Sequence, residues 1–219
     1  MKRLFPVLAA VLFAGHAQAA LVLGNLSTTT PGAPLLFGST TSITETQSKA
    51  VSFTVDEDLR LGSVYLGLSN FDEGDIFDVF LGSLSGPTIT KVAQLSLTAP
   101  VRTEDNTARV WQFNLTGLSD LLLHPGTTYA LTLMGGGSTS YTWGREGSTP
   151  IPPTGLANFG GYYFSDNSGG TYSVSLDPEL TNSFTINGTP LPVPAPITLL
   201  PAGLVLLALR RSRSRSRVK

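Results

Sequence analysis

The chain has 219 residues, with 14 Lys and Arg, 15 Asp and Glu, and no cysteine. The lack of cysteine excludes disulfide bonds, thiol catalysis and cysteine-ligated metals. The formal net charge of −1 hides an uneven distribution, because residues 20–193 hold six of the cationic side chains and all 15 acidic ones, a difference of −9. Such an acidic segment repels nucleic acid and anionic lipid, so we expect no nucleic-acid partner.

The first 19 residues have the pattern of a secretory signal peptide. Lys2 and Arg3 give a charged start, residues 4–14 form an apolar run, and Ala17-Gln18-Ala19 is a small-x-small cleavage site. We expect signal peptidase to cut after Ala19 and the protein to be exported. An N-terminal membrane anchor or a buried helix is the alternative, but the apolar run is too short to span a bilayer comfortably.

Residues 20–186 predict a single all-β domain. Their apolar runs are short, rich in β-branched and aromatic residues, and separated by Gly, Pro, Asn, Asp and Ser. Alternation is clear at residues 51–55 and 110–115, where a period of two places the apolar residues on one face of a sheet. The predicted strands are residues 21–26, 50–55, 62–68, 76–81, 89–97, 110–115, 128–134, 140–143, 161–164, 172–176 and 183–186.

The number of strands predicts the architecture of this domain. About eleven strands favour a two-sheet antiparallel sandwich of jelly-roll type, with a sheet closed on itself as the alternative. Residues 28–46 and 144–160 are expected to be long surface loops, and residues 119–122 a helical turn. Residues 187–190, with the sequence Asn-Gly-Thr-Pro, are expected to form a polar linker after the last strand.

Three segments of the domain each have a further recognisable sequence pattern. They are residues 47–55, with a central Phe-Thr pair, residues 59–68, and residues 122–133, which read Leu-Leu-His-Pro-Gly-Thr-Thr-Tyr-Ala-Leu-Thr-Leu. With these segments the domain resembles the choice-of-anchor domains of bacterial surface proteins, type R in particular. The resemblance implies a surface domain without an established catalytic role.

An acidic run in front of a predicted strand is the candidate metal site. Asp72, Asp75 and Asp78, with Asn70 nearby, lie around Gly74. They could supply several of the roughly six to eight oxygen ligands that Ca²⁺ takes. The spacing differs from that of an EF-hand loop, and the alternative is a solvated hairpin turn without a metal. No other cofactor is expected.

The sequence offers little for catalysis. His124 is the only histidine after the predicted cleavage site, and it precedes the turn pair Pro125-Gly126. A Ser-His-Asp site would have to use it, but no G-x-S-x-G sequence supplies the serine. We therefore interpret His124 as a turn residue and predict that the protein is not an enzyme.

Tyr141 and Trp143 are the candidates for sugar binding, as part of a cluster of aromatic residues near Gly-rich segments. Exposed rings of this kind could stack on the sugars of an extracellular polysaccharide. The alternative, which we favour, is packing within the core and the loops. The other members of the cluster are Phe159, Tyr162, Tyr163 and Phe164.

The C-terminal residues form a three-part pattern. Residues 187–196 make a linker that ends in Val193-Pro194-Ala195-Pro196, residues 197–209 are apolar, and residues 210–219 are basic with interleaved serines. The apolar part would span about 20 Å as a helix, against about 30 Å for the bilayer core. We therefore expect a short transmembrane segment that tethers the chain temporarily, with the basic tail in the cytoplasm. A permanent membrane span is the alternative.

This tail resembles the PEP-CTERM sorting signal of Gram-negative bacteria, in its Val-Pro-x-Pro variant. The likeness rests on the motif Val193-Pro194-Ala195-Pro196, on Gly203-Leu204 and on the terminal arginines. It implies processing near the proline motif by an exosortase-type transpeptidase, an integral membrane enzyme. It also implies delivery to the outer surface or the extracellular matrix. The tail departs from the usual signal in lacking a Glu between the prolines.

These features together predict an exported, non-catalytic surface or extracellular-matrix protein, as found in biofilms. We expect it to be tethered at the inner membrane before delivery, with signal peptidase and an exosortase-type transpeptidase as its partners. The alternative is a calcium-dependent carbohydrate-binding module that acts on extracellular polysaccharide.

Overall fold

A computed structural model of the chain describes residues 19–69, 76–97, 107–116, 120–136, 141–177 and 181–192. These residues form thirteen β-strands and no helix, which confirms the prediction of an all-β fold. The strands are β1 (Ala20–Gly24), β2 (Phe37–Ile43), β3 (Ser48–Thr54), β4 (Leu59–Ser69), β5 (Ile76–Ser85), β6 (Thr88–Leu97), β7 (Arg109–Leu115), β8 (Leu122–Leu123), β9 (Thr128–Gly136), β10 (Tyr141–Glu146), β11 (Asn158–Ser165), β12 (Ser173–Val174) and β13 (Phe184–Pro190).

The strands pair in one continuous antiparallel sheet. Its main path runs in the order β1-β13-β4-β7-β6-β5-β9-β3-β11-β12. β4 occupies a central position, because it pairs with β13 along one edge and β7 along the other, and its two ends also pair with β8 and β10. β2 pairs with β10 and lies off the main path.

Backbone hydrogen bonds join β1, at one end of this path, to the segment that precedes β11, near the other end. Gly24 in β1 and Thr154 exchange N–H···O bonds of 2.9 Å, and the N–H of Ala157 donates to the carbonyl of Val22 at 2.8 Å. Since residues 154–157 lead directly into β11, the sheet curls until its first strand lies beside a late one. The separation of this curled sheet into the two sheets of a sandwich stays a prediction.

The inward faces of the strands form one hydrophobic core. Alternation in β3 buries Val51 and Phe53, and alternation in β4 buries Val64, Leu66 and Leu68. Burial of each such side chain contributes about 1.5–3 kcal/mol to the free energy of unfolding. Because the chain has no disulfide bonds, this core is the main source of its stability.

Part of the outer face of the sheet is covered as well. Ala50 in β3 and Ala130 in β9 leave space on this face, and the ring of Tyr172 packs against them. The backbone N–H of Tyr172 donates to the carbonyl of Pro87, at the turn between β5 and β6, at 2.7 Å. Gly169 lies directly above, with a φ of +78°, and a Cβ there would come within 3.0 Å of the Tyr172 hydroxyl. The segment before β12 is thus fitted closely onto the sheet.

The prediction of a long loop at residues 28–46 is wrong for its second half. Phe37–Ile43 forms β2, in which half-buried and exposed residues alternate and which ends on the fully buried Ile43. The ring of Phe37 packs over Gly144 of β10 so closely that a Cβ at Gly144 would lie 2.2 Å from it. Pairing with β10, rather than an apolar pattern of its own, therefore determines this strand.

Three other boundaries differ from the expectations. The loop predicted at residues 144–160 is shorter at both ends than expected, because β10 continues to Glu146 and β11 begins at Asn158. Residues 187–190, predicted as a linker, are instead the second half of β13 and pair with β4. The helical turn predicted at residues 119–122 falls partly outside the described residues, and Leu122–Leu123 belongs to β8.

No helix within the described residues is long and apolar enough to cross a membrane. The transmembrane segment predicted at residues 197–209, the basic tail at residues 210–219 and most of the signal peptide at residues 1–19 lie outside the described part of the chain. The prediction of these segments therefore still rests on the sequence.

Buried tyrosines predict how stability changes with alkaline pH. Burial raises the pKa of Tyr141, Tyr162 and Tyr172 above the ordinary value for a phenol. Because the folded-state pKa is the higher one, these groups stabilise the fold fully below about pH 10, the unfolded pKa. Their contribution is lost as the pH rises through the raised values.

We therefore expect these three of the six tyrosines to ionise only as the protein unfolds. A pH titration followed by tyrosinate absorbance and by circular dichroism checks this, and Tyr172→Phe should remove one of the late-ionising phenols. Ionisation of all six tyrosines near pH 10 with an unchanged dichroism spectrum would contradict the burial described above.

Candidate functional site

Of the three predicted calcium ligands, only Asp78 is among the described residues. Asp72 and Asp75 lie outside the described residues, whereas Asp78 is in β5. Both oxygens of the Asp78 carboxylate accept hydrogen bonds, one from Lys91 Nζ at 2.7 Å and one from Gln94 Nε2 at 2.6 Å. The ammonium group of Lys91 already balances the charge of Asp78. Among the described residues, no group of three or more His, Asp and Glu side chains could hold a metal ion.

The sugar-binding role predicted for Tyr141 and Trp143 is wrong, because both side chains are buried in the core. Their exposed fractions are 1% and 0%. The indole N–H of Trp143 donates to the carbonyl of Ser183 at 2.9 Å, and its ring meets Phe184 edge-on, with ring centroids 6.5 Å apart. Neither ring presents a face to a ligand. The alternative of core packing is confirmed for this pair.

His124 lies in the turn that leads into β9, as its sequence context predicted. Its backbone N–H donates to the hydroxyl of Tyr129 at 2.8 Å, which ties the turn to the first residues of the following strand. Its ring Nδ1 lies 2.8 Å from Asp58 Oδ1, and both side chains are more than half exposed. This contact links two turns at the molecular surface.

The predicted cleavage and sorting residues flank the domain in the sequence. Ala19 is exposed and immediately precedes β1. The motif residues Val193, Pro194, Ala195 and Pro196 lie outside the described residues. Their predicted roles therefore remain predictions from sequence.

A surface groove beside β11 is the best candidate for a binding site. It has a volume of about 310 Å³, at the lower end of the range of small-ligand sites in proteins. Pro152 and Pro153 form one wall, Leu176 another, and Phe159 and Tyr162 contribute aromatic surface. Phe159 is 39% exposed and Leu176 is 92% exposed, so the groove is open to solvent.

A β-bulge brings the two aromatic rings of the groove together. Phe159 and Tyr162 are three residues apart, which in a regular strand would place them on opposite faces. The pairing of β11 with β3 slips between Phe159 and Gly161, so that one extra residue is inserted. Gly161 has a φ of +139°, a conformation that L-residues rarely adopt. The two rings consequently lie 5.1 Å apart, at 58° to each other.

Polar groups converge on the same groove. Tyr162 donates its hydroxyl to the carbonyl of Asn182 at 3.2 Å, which fixes the orientation of its ring. Ser175 and Asp177 lie on the rim, and the Ser175 hydroxyl accepts the backbone N–H of Asp177. Thr181 also lines the groove, and its Oγ1 is buried without a hydrogen-bond partner. An arrangement of aromatic surface, hydroxyls and one carboxylate suits a ligand that is partly apolar and rich in hydrogen-bonding groups.

The sequence contains a signal for this groove, a glycine pair between two aromatic residues, that the alternation of apolar residues alone does not reveal. Phe159 and Tyr162 belong to the aromatic cluster singled out above, and Gly160-Gly161 separates them. Glycine inside a strand pattern often marks a bulge. Reading the glycine pair as a bulge would have placed the two rings on the same side of the strand.

Comparisons of the chain with protein-family models, with curated proteins and with solved structures gave no match.

Loss of the Trp143 side chain is expected to destabilise the protein severely. Trp143→Ala removes the bond to Ser183 and leaves a cavity in the core, which should lower the free energy of unfolding by about 3–5 kcal/mol. Urea denaturation measures the change. Val92→Ala, at a position that is 42% exposed, is the control and should change stability by at most about 0.5 kcal/mol. Equal losses in the two variants would contradict the core position of Trp143.

Calcium is expected to leave the melting temperature unchanged. Lys91 and Gln94 each donate a hydrogen bond to one carboxylate oxygen of Asp78, so a metal held with Asp72 and Asp75 would have to compete with these two bonds. Calorimetry with added Ca²⁺, and then with a chelator, checks this. A rise with Ca²⁺ that the chelator reverses, and that Asp75→Asn abolishes, would contradict this expectation and support the predicted calcium site.

Proposed function

We propose that this chain is an exported, non-catalytic protein that an exosortase-type system sorts to the outer surface or the extracellular matrix. The observation that carries the proposal is the three-part tail, with its proline motif, apolar segment and basic end, at residues 193–219. The predicted signal peptide at residues 1–19 supplies the export that such a tail requires. In this proposal the domain is displayed on the cell surface or within the polymer around it.

The pairing of the first and last strands supports attachment at one end of the domain. Ala20, the first residue after the predicted cleavage site, pairs with Gly188 near the end of β13. The N–H of Leu191 donates to the carbonyl of Asp58 at 3.0 Å, so the chain is still held by the domain just before the motif. Cleavage after Ala19 or near Pro194 would therefore leave the paired strands intact.

The charge distribution also supports a location outside the cell. Removing the leader and the tail leaves a segment with six cationic and 15 acidic side chains. Self-repulsion between such acidic surfaces favours solubility, and it disfavours adsorption to anionic lipid. A displayed domain benefits from both effects, because it must leave the membrane surface after processing.

The proposal predicts a shortened C-terminus on the mature protein. The protein purified from its native host should have an intact mass that corresponds to a start at Ala20 and an end near residues 194–196, and it should fractionate with surface or secreted material. Recovery of an intact Lys219 in the inner membrane would overturn the proposal and would indicate a permanent tether.

Variants of the proline motif isolate its role. Replacing both Pro194 and Pro196 by Ala should block processing, so that the full-length tail accumulates in the inner membrane. Pro201→Ala, in the apolar segment but outside the motif, is the matched control and should be processed normally. Processing of the double variant at the normal rate would contradict recognition of the Val-Pro-x-Pro motif.

A further inference from the structure

We propose that the groove beside β11 binds a sugar ring of a neutral polysaccharide, with Phe159 as the platform on which the ring stacks. The site differs from the predicted pair Tyr141 and Trp143, which is buried. The inference goes beyond display, which needs no ligand, and it does not rest on the sorting proposal because binding can be measured on the purified protein.

The aromatic pair provides a fixed platform. Phe159 exposes 39% of its surface, and Tyr162 beneath it is 8% exposed and anchored by its hydrogen bond to Asn182. Pro152 and Pro153 also line the groove and add rigid apolar surface. The C–H faces of a pyranose ring are apolar and flat, so they match a groove between an aromatic ring and prolines. Little side-chain freedom would be lost when such a ring binds.

Hydroxyl groups in the groove suit the edges of a sugar ring. Thr181 is 8% exposed, and its Oγ1 lacks a hydrogen-bond partner. An incoming hydroxyl of the ligand would give this buried hydroxyl the hydrogen-bond partner that it lacks. Ser175, on the rim, offers a second hydroxyl. Since hydroxyls both donate and accept hydrogen bonds, they match the hydroxyls of a sugar without requiring a charge.

The charges around the groove select a neutral polymer. None of the described residues that line it is Lys or Arg, and Asp177 contributes a carboxylate. The segment of residues 20–193 has an excess of nine acidic side chains. Polymers of uronic acids or sulfated sugars would be repelled by this field. Neutral glycans would not be repelled by it.

A protein partner is the competing occupant, because Leu176 in the groove is exposed, as are three aliphatic side chains that are close in the sequence to residues lining the groove. Apolar patches of this kind often mark protein interfaces. The buried hydroxyl of Thr181 and the fixed aromatic pair favour the sugar. The exposed aliphatic side chains are Ile151, Leu156, Val174 and Leu176.

Affinity electrophoresis of the purified protein tests the proposal. Gels would contain hydroxyethylcellulose, dextran or the neutral polysaccharide fraction of the native host matrix, with alginate as the anionic polymer. We expect at least one neutral polymer to retard the protein and alginate to have no effect. Retardation by alginate alone, or by none of the polymers, would overturn the proposal, as would binding of a matrix protein in place of polysaccharide.

Variants locate the site. Phe159→Ala should weaken binding about tenfold, whereas Val92→Ala, at a similarly exposed position on β6, should bind normally. Thr181→Val should weaken binding roughly threefold to tenfold. It should also leave the melting temperature unchanged or raise it, because the unsatisfied hydroxyl is removed. Normal binding by both Phe159→Ala and Thr181→Val would place any sugar site elsewhere and overturn the proposal.

Discussion

The hydrogen bonds along both edges of β4 are the constraint on which the rest of the fold depends. This eleven-residue strand joins β13, and through it β1, to β7 and the remainder of the sheet. Leu59, Leu61, Val64, Leu66 and Leu68 of the same strand are all buried in the core. Because one strand supplies both the pairing and the apolar surface at the centre, neither half of the sheet could bury its inner face without it.

The sequence predicts strands well where apolar and polar residues alternate, and poorly where pairing alone decides. Each of the eleven predicted strands has a counterpart in the structure. Two strands, β2 and the two-residue β8, were not predicted, and β2 reads Phe-Gly-Ser-Thr-Thr-Ser-Ile, which lacks any apolar alternation between its ends. Its conformation follows from β10 beside it and from Phe37 packing over Gly144. Such long-range partners are not visible in a local pattern.

The candidate site illustrates a second limit of the same kind. The sequence groups aromatic residues near glycines, but it gives no sign of which members of the group face the core. Trp143 is buried where β10 pairs with β4, whereas Phe159 is 39% exposed although the bulge in β11 places it on the same face as the buried Tyr162. A single inserted residue moves the residues that follow it to the other face of the strand. An assignment of faces from a period of two therefore fails beyond a bulge. The roles of Asp72 and Asp75 stay predictions from sequence.

The position of β13 has a mechanical consequence. Thr181, which lines the groove, precedes this strand. The strand ends at Pro190, and the predicted tether follows later in the sequence. A pull between a polymer bound in the groove and an attachment at the tail would act along β13. The bonds of β13 to β1 and β4 run perpendicular to that direction, so they would share the load together instead of opening one at a time. With the proposed attachment at the tail and the proposed ligand in the groove, the domain would resist shear between a cell and the material around it.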